Sequence, residues 1–232
     1  MAPKKQLRDM RINLTGCSGI GKTTLAKAIS EIYDVPFISG SYSDLVPETR
    51  TMPHSEMIQQ DAQTVFKQDV QVLNIRNKVF GEKERLVSDR SYIDSAAYMI
   101  QKLSHRLPTC DIEDFVEKCK ILTLLQCPKV IYQTYTPQYF QEWKIEDNGK
   151  RVMNKFYQAE VTAIINYLID YYWNGTIVSI LKATNEKAWY SNPVIEIKGT
   201  FDGSTELYSQ ILVLNELDHE NRLEIIDKFL AL

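Results

Sequence analysis

The sequence predicts an α/β protein in which a mostly parallel five-stranded sheet is covered by helices on both faces. Short β-prone stretches alternate with longer stretches whose apolar residues recur at helical spacing, an order typical of parallel sheets with helical crossovers. The chain has 232 residues, of which 44% are hydrophobic and 25% are charged. This length is enough for one substantial α/β domain, so we predict a single domain over residues 1–232 with a flexible tail at residues 1–9.

Six stretches of the chain are short and β-prone, and each is predicted to be a strand. They are residues 10–15, 35–39, 84–89, 129–134, 176–180 and 194–197. Helices are predicted at residues 24–32, 55–80, 91–106, 154–173, 204–217 and 219–232, with one more that is capped by Asp111. Residues 40–53 and 135–153 are predicted to be irregular.

The most informative stretch lies between the first predicted strand and the first predicted helix. Residues 16–23 match G-x-x-x-x-G-K-[ST], a phosphate-binding loop, and the required strand and helix flank it. The glycines can turn successive N–H groups inward, so that these groups hold polyphosphate oxygens at the start of the helix. The predicted nucleotide-binding residues are Gly16, Cys17, Ser18, Gly19, Ile20, Gly21, Lys22, Thr23 and Thr24. The stretch therefore predicts the P-loop NTPase fold and binding of ATP or GTP.

Two side chains of the loop have specific expected roles. Lys22 should reach the β- and γ-phosphates as a positive charge, and Thr23 should ligate Mg²⁺ through its hydroxyl. We therefore predict ATP and Mg²⁺ as cofactors.

A second polar feature, Asp89-Arg90, ends the third predicted strand. Because ligands bind beyond the carboxyl ends of parallel strands, the phosphate loop, Asp89 and the loop with Arg50 should share one rim of the sheet. Asp89 could hold Mg²⁺ or accept a proton from an attacking hydroxyl, and Arg90 could clamp a substrate. The alternative, that Asp89 caps the next helix and pairs with Arg90, stays open at this stage.

The loop and residues 89–98, Asp-Arg-Ser-Tyr-Ile-Asp-Ser-Ala-Ala-Tyr, resemble the thymidylate-kinase-like P-loop kinases over residues 10–180. The resemblance implies that the Asp-Arg pair follows the third strand and that the Ser/Ala/Tyr helix with Tyr98 lines a nucleobase pocket. Arg50, Arg90 and Tyr98 are then the expected substrate-binding residues.

The chain departs from thymidylate kinases proper at two places. It has Cys17-Ser18 where they have an acidic loop residue, and Pro47-Glu48-Thr49-Arg50 where they have Arg-Glu-Pro. A bacteriophage-encoded branch of the family is similar in outline. Its members phosphorylate free deoxynucleoside monophosphates or 5-hydroxymethyluracil within DNA, so both kinds of acceptor are implied.

A basic and aromatic stretch at residues 135–155 falls where the family has a mobile lid. Its basic residues are Lys144, Lys150, Arg151 and Lys155, and the aromatic residues beside them are Tyr139, Phe140, Trp143, Phe156 and Tyr157. Arg151 is the expected lid arginine, which would act on the transferred phosphate. A solvated loop and a contact with unstacked nucleic acid are the two alternatives.

The sequence thus predicts a kinase that transfers the γ-phosphoryl group of ATP to a pyrimidine deoxynucleotide, free or in DNA. Lys22, Asp89, Arg90 and Arg151 are the expected catalytic residues, and Thr23 and Asp89 the expected metal ligands. A P-loop ATPase or switch protein and a ribosylnicotinamide-type kinase remain alternatives.

The net charge, the cysteines and the hydropathy of the chain bear on where the protein acts and on what it binds. The net charge of −3 disfavours a structural role on duplex DNA. Four unpaired-looking cysteines and the lack of a long apolar run predict a cytoplasmic protein without a membrane span. The sequence leaves a homodimer open.

Overall fold

One seven-stranded sheet organises the computed structural model, which describes residues 10–46, 59–134, 155–184, 191–216 and 218–232. The strands are β1 Arg11–Thr15, β2 Phe37–Ile38, β3 Leu86–Ser88, β4 Lys129–Gln133, β5 Thr176–Leu181, β6 Asn192–Phe201 and β7 Thr205–Leu214. Their order is β2-β3-β1-β4-β7-β6-β5. The four neighbouring pairs β2-β3, β3-β1, β1-β4 and β4-β7 are parallel. The pairs β7-β6 and β6-β5 are antiparallel. The predicted α/β class with a mostly parallel sheet is confirmed, but the predicted number of five strands is wrong.

Helices connect the strands and cover the sheet. They are α1 Lys22–Tyr33, α2 Tyr42–Leu45, α3 Ala62–Gly81, α4 Tyr92–Leu103, α5 Thr109–Gln126, α6 Lys155–Tyr167 and α7 His219–Leu230, with a π-helical turn at Leu168–Tyr172 after α6. Among these described segments, no helix combines the length and the apolar character that crossing a membrane requires.

The predicted helix at residues 204–217 is wrong, because this stretch forms strand β7 of a hairpin with β6. The turn between them contains Asp202 and Gly203, which have φ angles of 54° and 76°. Two successive positive φ angles match the right-handed twist of paired strands, and Asp-Gly is a typical sequence for such a turn. β7 also pairs with β4 on its other side, a partner that lies far away in the sequence.

The helices differ from the predictions at other places too. Helix α3 begins at Ala62, where the Asp61 side chain accepts a hydrogen bond from the Thr64 N–H at 2.9 Å. Helix α5 begins at Thr109 after Pro108, so Asp111 lies in its first turn and the prediction that Asp111 caps it is wrong. The short helix α2 lies in a stretch predicted to be a loop.

The two faces of the sheet have separate apolar cores. Helices α3, α4, α5 and α6 cover one face, where Phe80, Ile93 and Ile165 are fully buried. Helices α1 and α7 cover the other face around Ile29 and Phe229. Ile12 and Leu14 of β1 belong to the second core, while Asn13 and Thr15 on its other face are polar and buried.

Strand β1 lies between β3 and β4, and all three run in the same direction. Asn13 pairs with Ser88 on β3, and Thr15 pairs with Tyr132 on β4. The residues that follow β1, β3 and β4 consequently meet at one edge of the sheet.

Gly175 tests the packing between the π-helical turn and β6. A Cβ atom at Gly175 would lie 2.5 Å from the Ile169 carbonyl oxygen and 2.6 Å from Ile195 Cγ2. We expect Gly175→Ala to lower the free energy of unfolding by about 1–3 kcal/mol, because a backbone oxygen cannot move aside. Gly81→Ala is the control, since its Cβ would meet Gln126 at an ordinary 3.6 Å. Thermal melts check both variants, and equal melting temperatures would contradict this packing.

Candidate functional site

The phosphate loop connects β1 to α1 with a backbone that requires glycine. Gly16, Gly19 and Gly21 have φ angles of 139°, 78° and 87°, values that other residues rarely adopt. A Cβ on Gly16 would lie 2.5 Å from the Gln133 carbonyl oxygen. Gly21 precedes α1, and no side chain caps this helix and no acidic residue lies in its first turn. The first N–H groups of α1 thus remain available for an anion.

Lys22 is held above the loop by hydrogen bonds to the loop backbone. Its Nζ donates to the carbonyl oxygens of Gly16 at 2.6 Å and Cys17 at 2.7 Å. An ammonium group has three donors, so one of them remains for a phosphate oxygen. Burial, followed by the positive charge of Arg90, lowers the pKa of Lys22 from 10.5 to about 7. A bound polyphosphate would offset both effects.

Thr23 and Asp89 join the phosphate loop to the end of β3. The Thr23 hydroxyl donates to Asp89 Oδ2 at 2.6 Å, and the Gly40 N–H donates to Asp89 Oδ1 at 3.0 Å. Asp89 is only 5% exposed. A hydroxyl that donates to a carboxylate keeps its lone pairs, which could then ligate Mg²⁺.

The alternative that Asp89 caps the following helix is wrong. Ser91 caps α4, because its hydroxyl accepts a hydrogen bond from the Ile93 N–H at 3.1 Å. The Asp94 carboxylate completes a capping box by accepting from the Ser91 N–H at 2.9 Å. Asp89 is therefore free of helix capping and faces the phosphate loop.

Arg90 is fixed between a carboxylate and an aromatic ring. Its Nη1 lies 3.3 Å from Asp94 Oδ1, and its guanidinium carbon lies 5.8 Å from the centre of the Tyr98 ring. Burial acts against the charged form, but Tyr98, Asp94 and Asp89 outweigh it and raise the pKa of Arg90. The guanidinium thus stays charged on the same edge of the sheet as Asp89.

Tyr98 contacts the phosphate loop directly. Its hydroxyl lies 2.8 Å from the Ser18 hydroxyl oxygen, and its ring centre lies 6.3 Å from that of Tyr157 on α6. Burial raises the pKa of Tyr98, so its hydroxyl keeps its proton. The predicted substrate contact of Tyr98 stays a prediction.

Arg76 belongs to the site although it was absent from the predicted residues. It lies on α3 and is 4% exposed. Its guanidinium donates to the Gly40 carbonyl oxygen at 2.6 Å, to the Ser91 carbonyl oxygen at 3.3 Å and to the Ser95 hydroxyl. It thereby ties together the segments that follow β2 and β3. The sequence could have indicated that Arg76 is buried, because it lies one turn after Val72 and Leu73, in the apolar stripe of the helix.

The predicted site residues divide into two groups. One group lies at one edge of the sheet. It comprises the described residues that were predicted to bind the nucleotide, the metal or the substrate. They are residues 16–24, Asp89, Arg90 and Tyr98. Arg50, Arg151 and nearly all of the predicted lid at residues 135–155 lie outside the described residues.

The described side chains fit a nucleotide with Mg²⁺. The uncapped start of α1, the third Lys22 donor and the loop glycines suit a polyphosphate. In the described part of the chain, no group of three or more His, Cys, Asp or Glu residues could hold a metal alone. Mg²⁺ typically binds one or two protein oxygens together with phosphates and water, as Thr23 and Asp89 would allow.

The fold and this edge define a P-loop nucleotide-binding protein. A sequence model of the AAA domain family matches residues 11–161, more than half of the chain, and the chain belongs to this family. No curated protein matches the chain.

One solved structure shows the fold. Deoxyadenosine kinase from M. mycoides, solved with dCMP and dCDP, superposes with a TM-score of 0.60 at 15% identity, covering 96% of this chain and 98% of that chain. YorR from Bacillus subtilis, in complex with phosphorylated GDP, gives a TM-score of 0.40 at 16% identity, over 68% of this chain and 78% of its own. NadR, solved with NAD and AMP-PNP, gives a TM-score of 0.43 at 13% identity, covering 69% of this chain and 41% of its own. The first comparison shows a P-loop nucleoside-kinase-like fold, and the other two are too low for any argument.

Lys22 should make the stability of the protein depend on pH. Its pKa of about 7 lies below the ordinary value of 10.5, so between these values the unfolded chain binds more protons than the folded one. The contribution of Lys22 to the free energy of unfolding must therefore rise with pH from about 7 upward, and it is lowest below that pH. We expect Lys22→Met to abolish this rise.

Thermal melts of both proteins between about pH 6.5 and 9 measure the effect as a difference in midpoint at each pH. The midpoint of the wild type should rise relative to that of the variant across this window. Lys27→Met, an exposed lysine of the same helix, is the matched control and should show a constant difference. A difference in midpoint between the wild type and Lys22→Met that falls with pH would contradict the lowered pKa of Lys22.

Proposed function

We propose that the protein is a Mg²⁺-dependent kinase that transfers the γ-phosphoryl group of ATP to a pyrimidine deoxynucleotide. The observation that supports this most is the 2.6 Å hydrogen bond from the phosphate-loop hydroxyl of Thr23 to Asp89, with the Arg90 cation fixed at the next position. A carboxylate that holds the metal or accepts a proton and an arginine that binds phosphoryl oxygens recur at sites of phosphoryl transfer.

Each residue has a distinct task in this proposal. The loop N–H groups and Lys22 bind the β- and γ-phosphates of ATP, which supplies the phosphoryl group. Thr23 and Asp89 would hold Mg²⁺, which would neutralise phosphate charge when bound. Arg90 binds the acceptor or the transferred group through its planar N–H fork. Catalysis then depends mainly on positioning and charge.

The chemistry of the acceptor decides what Asp89 does. A new bond forms between the acceptor oxygen and the γ-phosphorus, and the bond from that phosphorus to the β-bridging oxygen breaks to release ADP. A monophosphate acceptor has an ionised oxygen, so no proton must leave. A hydroxyl acceptor loses its proton, which in this proposal Asp89 accepts.

A free deoxynucleoside monophosphate is the first candidate acceptor. The full-length likeness to a deoxyadenosine kinase fold and the net charge of −3 support a small acceptor. 5-Hydroxymethyluracil within DNA is the second candidate. It is favoured by the absence of an acidic residue in the loop, where the Ser18 hydroxyl contacts Tyr98 instead.

Residues outside the described ranges complete the proposal. Arg50 would orient the acceptor, and Arg151 in a lid at residues 135–155 would close over the transferred phosphate. Residues 1–232 would act as a single kinase domain.

Transfer from γ-labelled ATP with Mg²⁺ tests the proposal. Separate reactions should contain free deoxynucleoside monophosphates, deoxynucleosides, nicotinamide riboside and DNA with 5-hydroxymethyluracil. Label in a free diphosphate identifies a nucleotide kinase, and label retained in DNA identifies a DNA-modifying kinase. Label that appears only as inorganic phosphate with every acceptor would replace the kinase proposal by an ATPase.

Asp89→Asn should separate binding from transfer. The amide preserves the size of the side chain but neither accepts a proton nor ligates Mg²⁺ as a carboxylate does. We expect transfer to fall by about 10²- to 10⁴-fold, while the affinity for ADP without metal changes by less than about threefold. Asp114→Asn, an exposed position on α5, is the matched control. Full transfer activity in Asp89→Asn would remove Asp89 from the mechanism.

A further inference from the structure

Ser18 is held from two sides by helices that come from different parts of the chain. Gln158 on α6 donates from Nε2 to the Ser18 carbonyl oxygen at 3.0 Å. Tyr98 on α4 meets the Ser18 hydroxyl at 2.8 Å. Both contacts reach one residue at the tip of the phosphate loop.

The Gln158 amide has an unusual environment for a structural residue. It is completely buried, and within the described chain its Oε1 has no hydrogen-bond partner. A buried polar atom without a partner destabilises a fold. The hydrogen bond from Gln158 to Ser18 is the favourable interaction that offsets this cost, and it holds the phosphate loop.

A fixed carbonyl also fixes the N–H of the next residue. The peptide bond is planar and trans, so the Gly19 N–H points opposite to the Ser18 carbonyl oxygen. Gln158 holds that oxygen toward α6 and thereby turns the Gly19 N–H away from α6. Lys22 similarly holds the two preceding carbonyl groups of the loop.

Tyr98 extends this arrangement to the acceptor side. Its ring lies under the Arg90 guanidinium at 5.8 Å while its hydroxyl contacts Ser18. The position of the loop tip and the position of Arg90 are thus linked through one rigid side chain.

We propose that Gln158 and Tyr98 are positioning residues that keep the Ser18–Gly19 peptide in its phosphate-binding orientation before a nucleotide arrives. This inference rests on the proposed binding of a nucleotide but not on any particular acceptor. It predicts that phosphate affinity and fold stability respond differently when Gln158 loses its polarity.

Gln158→Met tests the first contact, because methionine has a similar shape and no hydrogen-bonding amide. We expect the affinity for ADP, measured by calorimetry with Mg²⁺, to fall by about three- to tenfold, the effect of one hydrogen bond. The thermal midpoint of the free protein should stay the same or rise. Inorganic tripolyphosphate should lose affinity by the same factor as ADP, because the effect is on phosphates and not on the base.

Asn166→Leu is the control on the same helix, since Asn166 accepts from the Tyr132 hydroxyl at 2.9 Å and lies two turns beyond Gln158. Its affinities should stay within about twofold of the wild type. Tyr98→Phe removes only the second contact and should weaken both ligands as Gln158→Met does.

The possible outcomes separate this inference from the proposed function. Wild-type protein that binds neither ADP nor tripolyphosphate would refute nucleotide binding itself. Wild-type binding with unchanged affinity in Gln158→Met and Tyr98→Phe would refute the positioning role. A lowered midpoint together with lowered affinity would show that Gln158 stabilises the fold, and would also refute it.

Discussion

The hydrogen bond between Thr23 and Asp89 is the interaction on which the candidate site depends. It joins the first turn of α1 to the residue that follows β3. Neither segment could reach the other without the parallel pairing of β1 and β3. Because the Gly40 N–H binds the second carboxylate oxygen, Asp89 also fixes the segment after β2. One carboxylate thus connects three successive strand ends, which explains why it is almost completely buried.

Arg76, a buried cation, holds the segments on either side of Asp89 in place. Arg76 donates to the carbonyl oxygens of Gly40 and Ser91, the residues that flank the Asp89–Arg90 pair in space and in sequence. Burial lowers the pKa of Arg76, so its charge is costly in this position. Backbone carbonyl groups compensate that cost only if both segments hold their positions, and Arg76 therefore makes the rim rigid.

The sequence was sufficient for those parts of the site that depend on local pattern. The phosphate loop and its flanking strand and helix follow from neighbouring residues, and Asp89 follows from the rule that parallel strands end on one edge. β7 was mistaken for a helix although Asp202-Gly203 is a local hairpin signal. The pairing of β7 with β4, about 80 residues away, as in the register of Lys129 with Gln210, leaves no local signal. The contact between Ser18 and Tyr98 has the same long-range origin, so no local pattern could indicate it.

Several groups that weaken the fold lie around the phosphate loop. Lys22 is buried with a lowered pKa, the start of α1 has no cap, and Gln158 keeps an unpaired oxygen among the described residues. Side chains cap α3, α4 and α7, through Asp61, Ser91 and Asp218, whereas the short helix α2 and helix α5, which follows Pro108, have no side-chain cap. A missing cap alone typically costs about 1 kcal/mol. What distinguishes the loop is that a buried cation and unpaired N–H groups lie side by side there, an arrangement that suits an anionic ligand. An anion at the loop would compensate Lys22 and the uncapped N–H groups at once, and this joint compensation is the physical argument that the loop binds phosphates.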